Sequence, residues 1–349
     1  MPDHTMRAVH FYTYGGPEQL VVEHIPRPEP QAGEVLVRVY AAGVNPVDWK
    51  IRKGVFKDVR PVPLPFTPGS ELAGTVELVG SGVTGWKRGQ AVYGRGAQGA
   101  YADYAVIAAD QLDDIPHNIS FDQAASVPVG ASTAWMALFS LADLQAGQTV
   151  LVHGAAGGVG NYAVQLAHWK GAHVIGTASS KNLEFVQTLG AETVIDYATT
   201  PIAQVVHEVD VVVDPLGGET QDRSWPLMKP GGMLVAIGHP SAEDVAANYG
   251  VRTASTILAQ PVPPDLEARP LPEISALIES GLLLPQVGQV FSLEEAAQAQ
   301  ALSETGHGRG RIVLHIADAE GETKHERHNF QGNRVSAEST PGAFRYGAA

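Results

Sequence analysis

The chain has 349 residues and a formal net charge of −14, from 23 Lys and Arg against 37 Asp and Glu, and 44% of its residues are hydrophobic. That length accommodates two domains at ~100–200 residues each, the apolar content excludes wholesale disorder, and the acidity excludes phosphate-driven nucleic-acid binding and an anionic membrane surface. There is no cysteine, which excludes disulfides and Cys-ligated zinc.

Residues 1–16 lack the apolar core of a signal peptide and no run reaches the ~18 apolar residues of a membrane span, so a cytoplasmic protein is expected. The first ~120 residues read as β-rich. Strand-like runs at 35–40, 74–79, 91–93 and 101–107 are punctuated by Gly and Pro, as in Gly15-Gly16-Pro17. Ser120-Phe121-Asp122-Gln123 has the form of a capping box, and a helix is predicted over 131–141. From Thr149 the pattern becomes strand, turn, helix, repeated. Strands are predicted at 149–153, 173–177, 193–195, 210–214 and 233–237, and helices at 159–170, 181–189 and 220–228. Such alternation implies a parallel sheet covered on both faces. A helix at 271–280, strands at 289–291 and 311–316, and a helix at 293–303 follow, the last three expected to return to the first domain. Residues 318–349 are polar and aperiodic and read as a disordered tail, with the His325 to His328 cluster solvated.

Thr149-Val150-Leu151-Val152-His153-Gly154-Ala155-Ala156-Gly157-Gly158-Val159-Gly160 carries the chemistry. An apolar strand feeds a glycine-rich turn that opens a helix. Gly157 lets backbone approach a pyrophosphate, Gly160 lets helix pack on strand, and the helix start presents free N–H groups to phosphate. Ala155 stands where the strict fingerprint has its first Gly. Ala155, Gly157, Gly158, Val159 and Gly160 are therefore expected to bind a dinucleotide. An NAD site ordinarily has Asp or Glu at the end of the next strand for the ribose 2′-hydroxyl. No acid occurs over 174–181; Ser179, Ser180 and Lys181 stand there instead. Hydroxyls and a cation suit a 2′-phosphate, so NADPH is expected over NADH.

The segments Gly33-Glu34-Val35-Leu36-Val37-Arg38-Val39, Gly43-Val44-Asn45-Pro46-Val47-Asp48, Pro68-Gly69-Ser70-Glu71-Leu72-Ala73-Gly74, the glycine turn, and Gly308-Arg309-Gly310-Arg311-Ile312-Val313-Leu314 resemble the quinone oxidoreductase (zeta-crystallin-like) branch of the medium-chain dehydrogenases/reductases. The resemblance spans residues 6–316. It implies an α/β protein with a GroES-like, β-rich catalytic domain (1–122 and 287–317), a doubly wound Rossmann domain (123–286) and a cleft between them, and a homodimer. Zinc-dependent relatives carry Gly-His-Glu where this chain has Gly69-Ser70-Glu71, so no metal is expected. The resemblance also assigns Thr133 beside the nicotinamide, Tyr197 at the 2′-phosphate, and Gly217 and Gly238 at strand ends facing the cofactor.

Without a Lewis acid, alcohol oxidation is not expected. Hydride delivery to a quinone or an activated C=C bond is, with the protein aligning the partners and stabilising charge. Asn45, Asp48 and Lys50 are the candidate catalytic residues, on a loop that matches the family's Asn-x-x-Asp. Two other readings are an enoyl or enone reductase of a specialised pathway and an NADPH-binding sensor with little turnover.

Overall fold

The computed structural model describes residues 5–96, 99–256 and 270–318. The described residues form fifteen strands: β1 (Thr5–His10), β2 (Val21–Pro26), β3 (Glu34–Val44), β4 (Glu71–Val79), β5 (Ala91–Arg95), β6 (Tyr104–Ala108), β7 (Leu112–Asp114), β8 (Thr149–Val152), β9 (His173–Ala178), β10 (Thr193–Asp196), β11 (Val209–Asp214), β12 (Met228–Ala236), β13 (Arg252–Ser255), β14 (Val287–Ser292) and β15 (Arg311–His315). Among the described residues nine α-helices intervene: α1 (Pro46–Arg52), α2 (Phe121–Ala125), α3 (Pro128–Trp135), α4 (Gly160–Trp169), α5 (Leu183–Thr188), α6 (Glu219–Ser224), α7 (Glu243–Asn248), α8 (Leu271–Glu279) and α9 (Ala296–Glu304). Among the described residues no helix is long and apolar enough to cross a membrane.

The central half is a six-stranded, all-parallel sheet in the order β10-β9-β8-β11-β12-β13. Its middle strands read as near-continuous Val and Leu because helices cover both faces, which is what a buried parallel sheet requires. Helix α4 is buried at every position from Gly160 to Ala167. The other half is a seven-stranded sheet with the path β14-β15-β3-β4-β5-β7, to which β6 adds by pairing with β3. Strand β15 pairs antiparallel with β3, so the chain returns to its first sheet after the parallel one is complete. The largest apolar core joins the two: Ala41, Ala73 and Tyr93 of the first sheet share it with α3, α4 and the central strands.

Several predicted elements shift. The capping box is present: Ser120 N–H donates to Gln123 Oε1 at 3.0 Å and Gln123 N–H to Ser120 Oγ at 3.3 Å. The helix predicted at 131–141 is α3 followed by a π-helical stretch, Met136–Leu141. The helix predicted at 220–228 ends early, because Met228 already pairs with Val209 as the first residue of β12. The segment read as an Asn-x-x-Asp loop is the start of α1. Pro46 occupies the first helical position, where its missing N–H costs nothing. Predicted features at 258–264 and 319–349, including the His325 to His328 cluster, lie outside the described residues.

Candidate active site

The glycine turn leaves the carboxyl end of β8, the edge of an open α/β sheet at which ligands sit. Gly154 takes φ +55°, and Gly157 N–H donates back to its carbonyl at 2.8 Å. Gly160 begins α4 so close to that carbonyl that a Cβ there would overlap the Gly154 oxygen. Behind the turn, His153 bridges Thr177 Oγ1 (3.2 Å) and Ser224 Oγ (2.9 Å), and burial lowers its pKa to about 4. It is a neutral structural histidine at physiological pH.

The chain's closing motif packs on the same turn. Gly310 N–H donates to the Ala156 carbonyl at 2.8 Å, and a Cβ on Gly158 would lie 3.0 Å from the Arg311 guanidinium. Arg311 is buried and forms an ion pair with the fully buried Glu71. It also donates to Asn45 Oδ1 at 2.8 Å, while Asn45 Nδ2 donates to Glu71 Oε1 at 2.8 Å. The second Glu71 oxygen accepts the Val129 N–H at 2.7 Å, which ties β4 to the start of α3. Gly43 makes room: a Cβ there would overlap the Glu71 carboxylate.

Asp48 extends the network. Its Oδ2 accepts Asn45 N–H at 2.8 Å and the Tyr101 hydroxyl at 2.9 Å. One residue further along α1 than Trp49, Lys50 leaves the network and crosses to the other sheet, donating to the Gly238 carbonyl at 3.2 Å. Gly238 follows β12 with φ +76°. The neighbouring turn is set by Asp214, whose Oδ1 accepts Leu216 and Gly217 N–H groups at 2.9 and 3.0 Å. The His239 ring packs against Gly217 with Nε2 3.0 Å from the Asp214 carbonyl oxygen.

Residues 31–117 match the alcohol dehydrogenase GroES-like domain family, and residues 189–314 match the zinc-binding dehydrogenase family. A quinone oxidoreductase of Pseudomonas aeruginosa is 36% identical over 326 residues, covering 88% of this chain and 99% of that protein. The chain belongs to the quinone oxidoreductase family. Among solved structures, Escherichia coli quinone oxidoreductase complexed with NADPH matches with a TM-score of 0.80 at 29% identity, over 88% of this chain and 99% of that one. The CurK enoyl reductase matches with a TM-score of 0.83 at 28% identity, over 90% of this chain and 100% of that one. The protein is thus an oxidoreductase enzyme of the medium-chain dehydrogenase/reductase type, with the α/β and GroES-like architecture expected, and the reading as a sensor is set aside.

One matched family is described as zinc-binding, and the described residues do not fit that metal. Among the described residues no group of three His, Asp or Glu could hold an ion. Both Glu71 oxygens are engaged by Arg311, Asn45 and Val129, and the neighbouring residue is Ser70. The residues around the glycine turn do fit a dinucleotide: a φ-positive glycine, a helix start, and glycine-lined strand ends at Gly217 and Gly238.

The structure gathers Asn45, Asp48, Lys50, Gly158 and Gly238 into one contiguous region through the contacts above. Asn45 and Asp48, however, are almost fully buried, and their polar atoms point into the network. That arrangement directs their hydrogen bonds to protein partners. Thr133 lies half-buried on α3, and Ser179, Ser180, Lys181 and Tyr197 sit together at the ends of β9 and β10. Sequence reasoning missed Glu71 and Arg311 as a buried pair, 240 positions apart, and it missed Asp196. The Asp196 carboxylate accepts the Ser180 hydroxyl. The only available signal for Asp196 was its place at the end of a strand parallel to β9.

Burial, opposed by the bonds from Asn45 and Tyr101, pushes the Asp48 carboxyl up to about 7. An unfolded Asp titrates near ~3.9, so between these values the folded state holds more protons than the unfolded one. Asp48 therefore costs stability progressively as pH rises from about 4 to about 7. Asp48→Asn keeps an oxygen for both donors and removes the charge. Its melting temperature relative to wild type should rise between pH 5 and pH 7.5. A flat difference across that range would refute an Asp48 that titrates near neutrality.

Proposed function

We propose that the enzyme transfers hydride from NADPH to a quinone or an activated C=C acceptor without a metal. The observation that carries this reading is Lys50. Its ammonium reaches from α1 to the Gly238 carbonyl at the end of β12, and partial burial lowers its pKa. A poorly hydrated cation at the junction of both sheets' site residues is suited to stabilise the oxygen of an enolate or hydroquinone anion. Asn45, Asp48, Glu71 and Arg311 act through it and through the glycine turn, holding α1, β4 and residues 154–160 in register. When bound, the cofactor supplies the hydride from nicotinamide C4.

The turn at Gly154–Gly160 would hold the pyrophosphate, with Thr133, Gly217 and Gly238 toward the nicotinamide. Ser179, Ser180, Lys181 and Tyr197 would take the 2′-phosphate. Lys181 is exposed and makes no ion pair with the described residues, which leaves its charge available. Lys181→Ala should therefore weaken NADPH binding by roughly 1.5–3 kcal/mol, the worth of a hydrogen bond to a charged group, and NADH binding far less. Equal losses for both cofactors, measured by titration calorimetry, would remove the phosphate role.

Acceptor chemistry separates the proposal from the enone reductase reading, which the likeness to an enoyl reductase favours. NADPH deuterated at the transferred C4 position should label the β-carbon of an enone, while the α-carbon or oxygen takes its proton from the protein or solvent. Quinones should be consumed at comparable rates, a chelator should change neither rate, and simple alcohols should not be oxidised. Efficient alcohol oxidation that a chelator abolishes would sink the proposal. Turnover of one narrow enone class with quinones ignored would promote the enone reductase.

A further inference from the structure

The cofactor edge holds an acid that belongs to a different strand from the one that normally supplies it. Strand β10 lies beside β9 in parallel register, with Asp196 level with Ala178. The chain beyond Ala178 supplies Ser179, Ser180 and Lys181, and the chain beyond Asp196 supplies Tyr197, which is 58% exposed. Asp196 Oδ2 accepts the Ser180 hydroxyl, and Oδ1 accepts the Ala198 N–H at 3.0 Å. Those two bonds, the Ser180 hydroxyl first, hold the carboxyl below its ordinary range, so it is an anion at neutral pH. A serine hydroxyl has a single proton to donate. Here that proton goes to Asp196, and Ser180 turns only lone pairs toward an approaching ligand.

A phosphate brings acceptor oxygens and negative charge, whereas a ribose hydroxyl can donate. We propose that Asp196 is a cofactor-specificity residue: its carboxylate competes with the 2′-phosphate of NADPH for the Ser180 hydroxyl and keeps NADH usable beside NADPH. This rests on the reading that residues 179–181 receive the adenosine ribose. Lys181 attracts the phosphate and Asp196 opposes it, so the balance between the two sets the preference.

Asp196→Asn tests it. The amide oxygen still accepts the Ala198 N–H, and the amide nitrogen can donate to Ser180 Oγ, which frees the serine proton for a phosphate. Dissociation constants of the full-length protein for NADPH and NADH are measured for wild type, Asp196→Asn and Lys181→Ala, with melting curves to confirm folding. Asp196→Asn should move the ratio of affinities toward NADPH by roughly five- to twentyfold, the size of one charged contact at a solvated edge. Lys181→Ala should move it the other way. If Lys181→Ala shifts the ratio and Asp196→Asn changes it less than twofold, the competition is refuted while the ribose edge stands. If neither variant shifts it, the ribose edge itself is misplaced and the proposal goes with it.

Discussion

Arg311→Met should destabilise the protein by about 3–5 kcal/mol, because it leaves the Glu71 carboxylate buried without its cation. Arg311 is 3% exposed and Glu71 0%. Water cannot compensate at such depth, and the remaining Glu71 donors, Asn45 Nδ2 and Val129 N–H, carry no full charge. The damage should also reach the cofactor, since Arg311 lies against Gly158 and Asn45. Adding Glu71→Gln should restore part of the loss, because the double variant no longer buries a bare anion. The energies of the two single variants should therefore sum to more than the double variant's, by more than ~1 kcal/mol. Strict additivity in denaturant unfolding would mean that the two side chains are not energetically coupled.

What could be read from the chain beforehand follows the range of the forces involved. The glycine turn was legible because strand, turn and helix start are consecutive and each glycine has a local reason. The parallel sheet was legible because strands and helices alternate along the chain from Thr149 onward. The Asn45-Pro46-Val47-Asp48 segment carried a helix signal, Pro at the first position with an acid two residues later, and matching it to a family loop hid that signal. Met228 was misassigned because Trp225 and Met228 stand three residues apart, as on one helix face, while only pairing with Val209 turns Met228 into a strand. Glu71 with Arg311, and Ser180 with Asp196, were out of reach for another reason. Their partnership depends on which strands become neighbours, and no local pattern states it. Residues 174–181 contain no acid, yet the fold brings Asp196 to Ser180 from 16 residues further on.

The glycine turn allows a sharper test than its motif alone. Gly160→Ala adds one carbon that would overlap the Gly154 carbonyl oxygen and lie 2.8 Å from Ala155 Cα. Both obstacles are backbone, so no side-chain rotation relieves them, and the turn must open. Overpacking of this kind costs typically ~1–3 kcal/mol. Opening also moves the N–H groups that would face the pyrophosphate, so NADPH affinity should fall about ten- to a hundredfold alongside the melting temperature. Gly157→Ala differs. Its Cβ would meet only the Gly154 oxygen, at 3.1 Å, so the fold should lose little, while the added methyl stands where the ligand's backbone approach is expected. Affinity without stability should be lost at Gly157, and both should be lost at Gly160. The reverse pattern would place the pyrophosphate away from Gly157 and assign that glycine to packing alone.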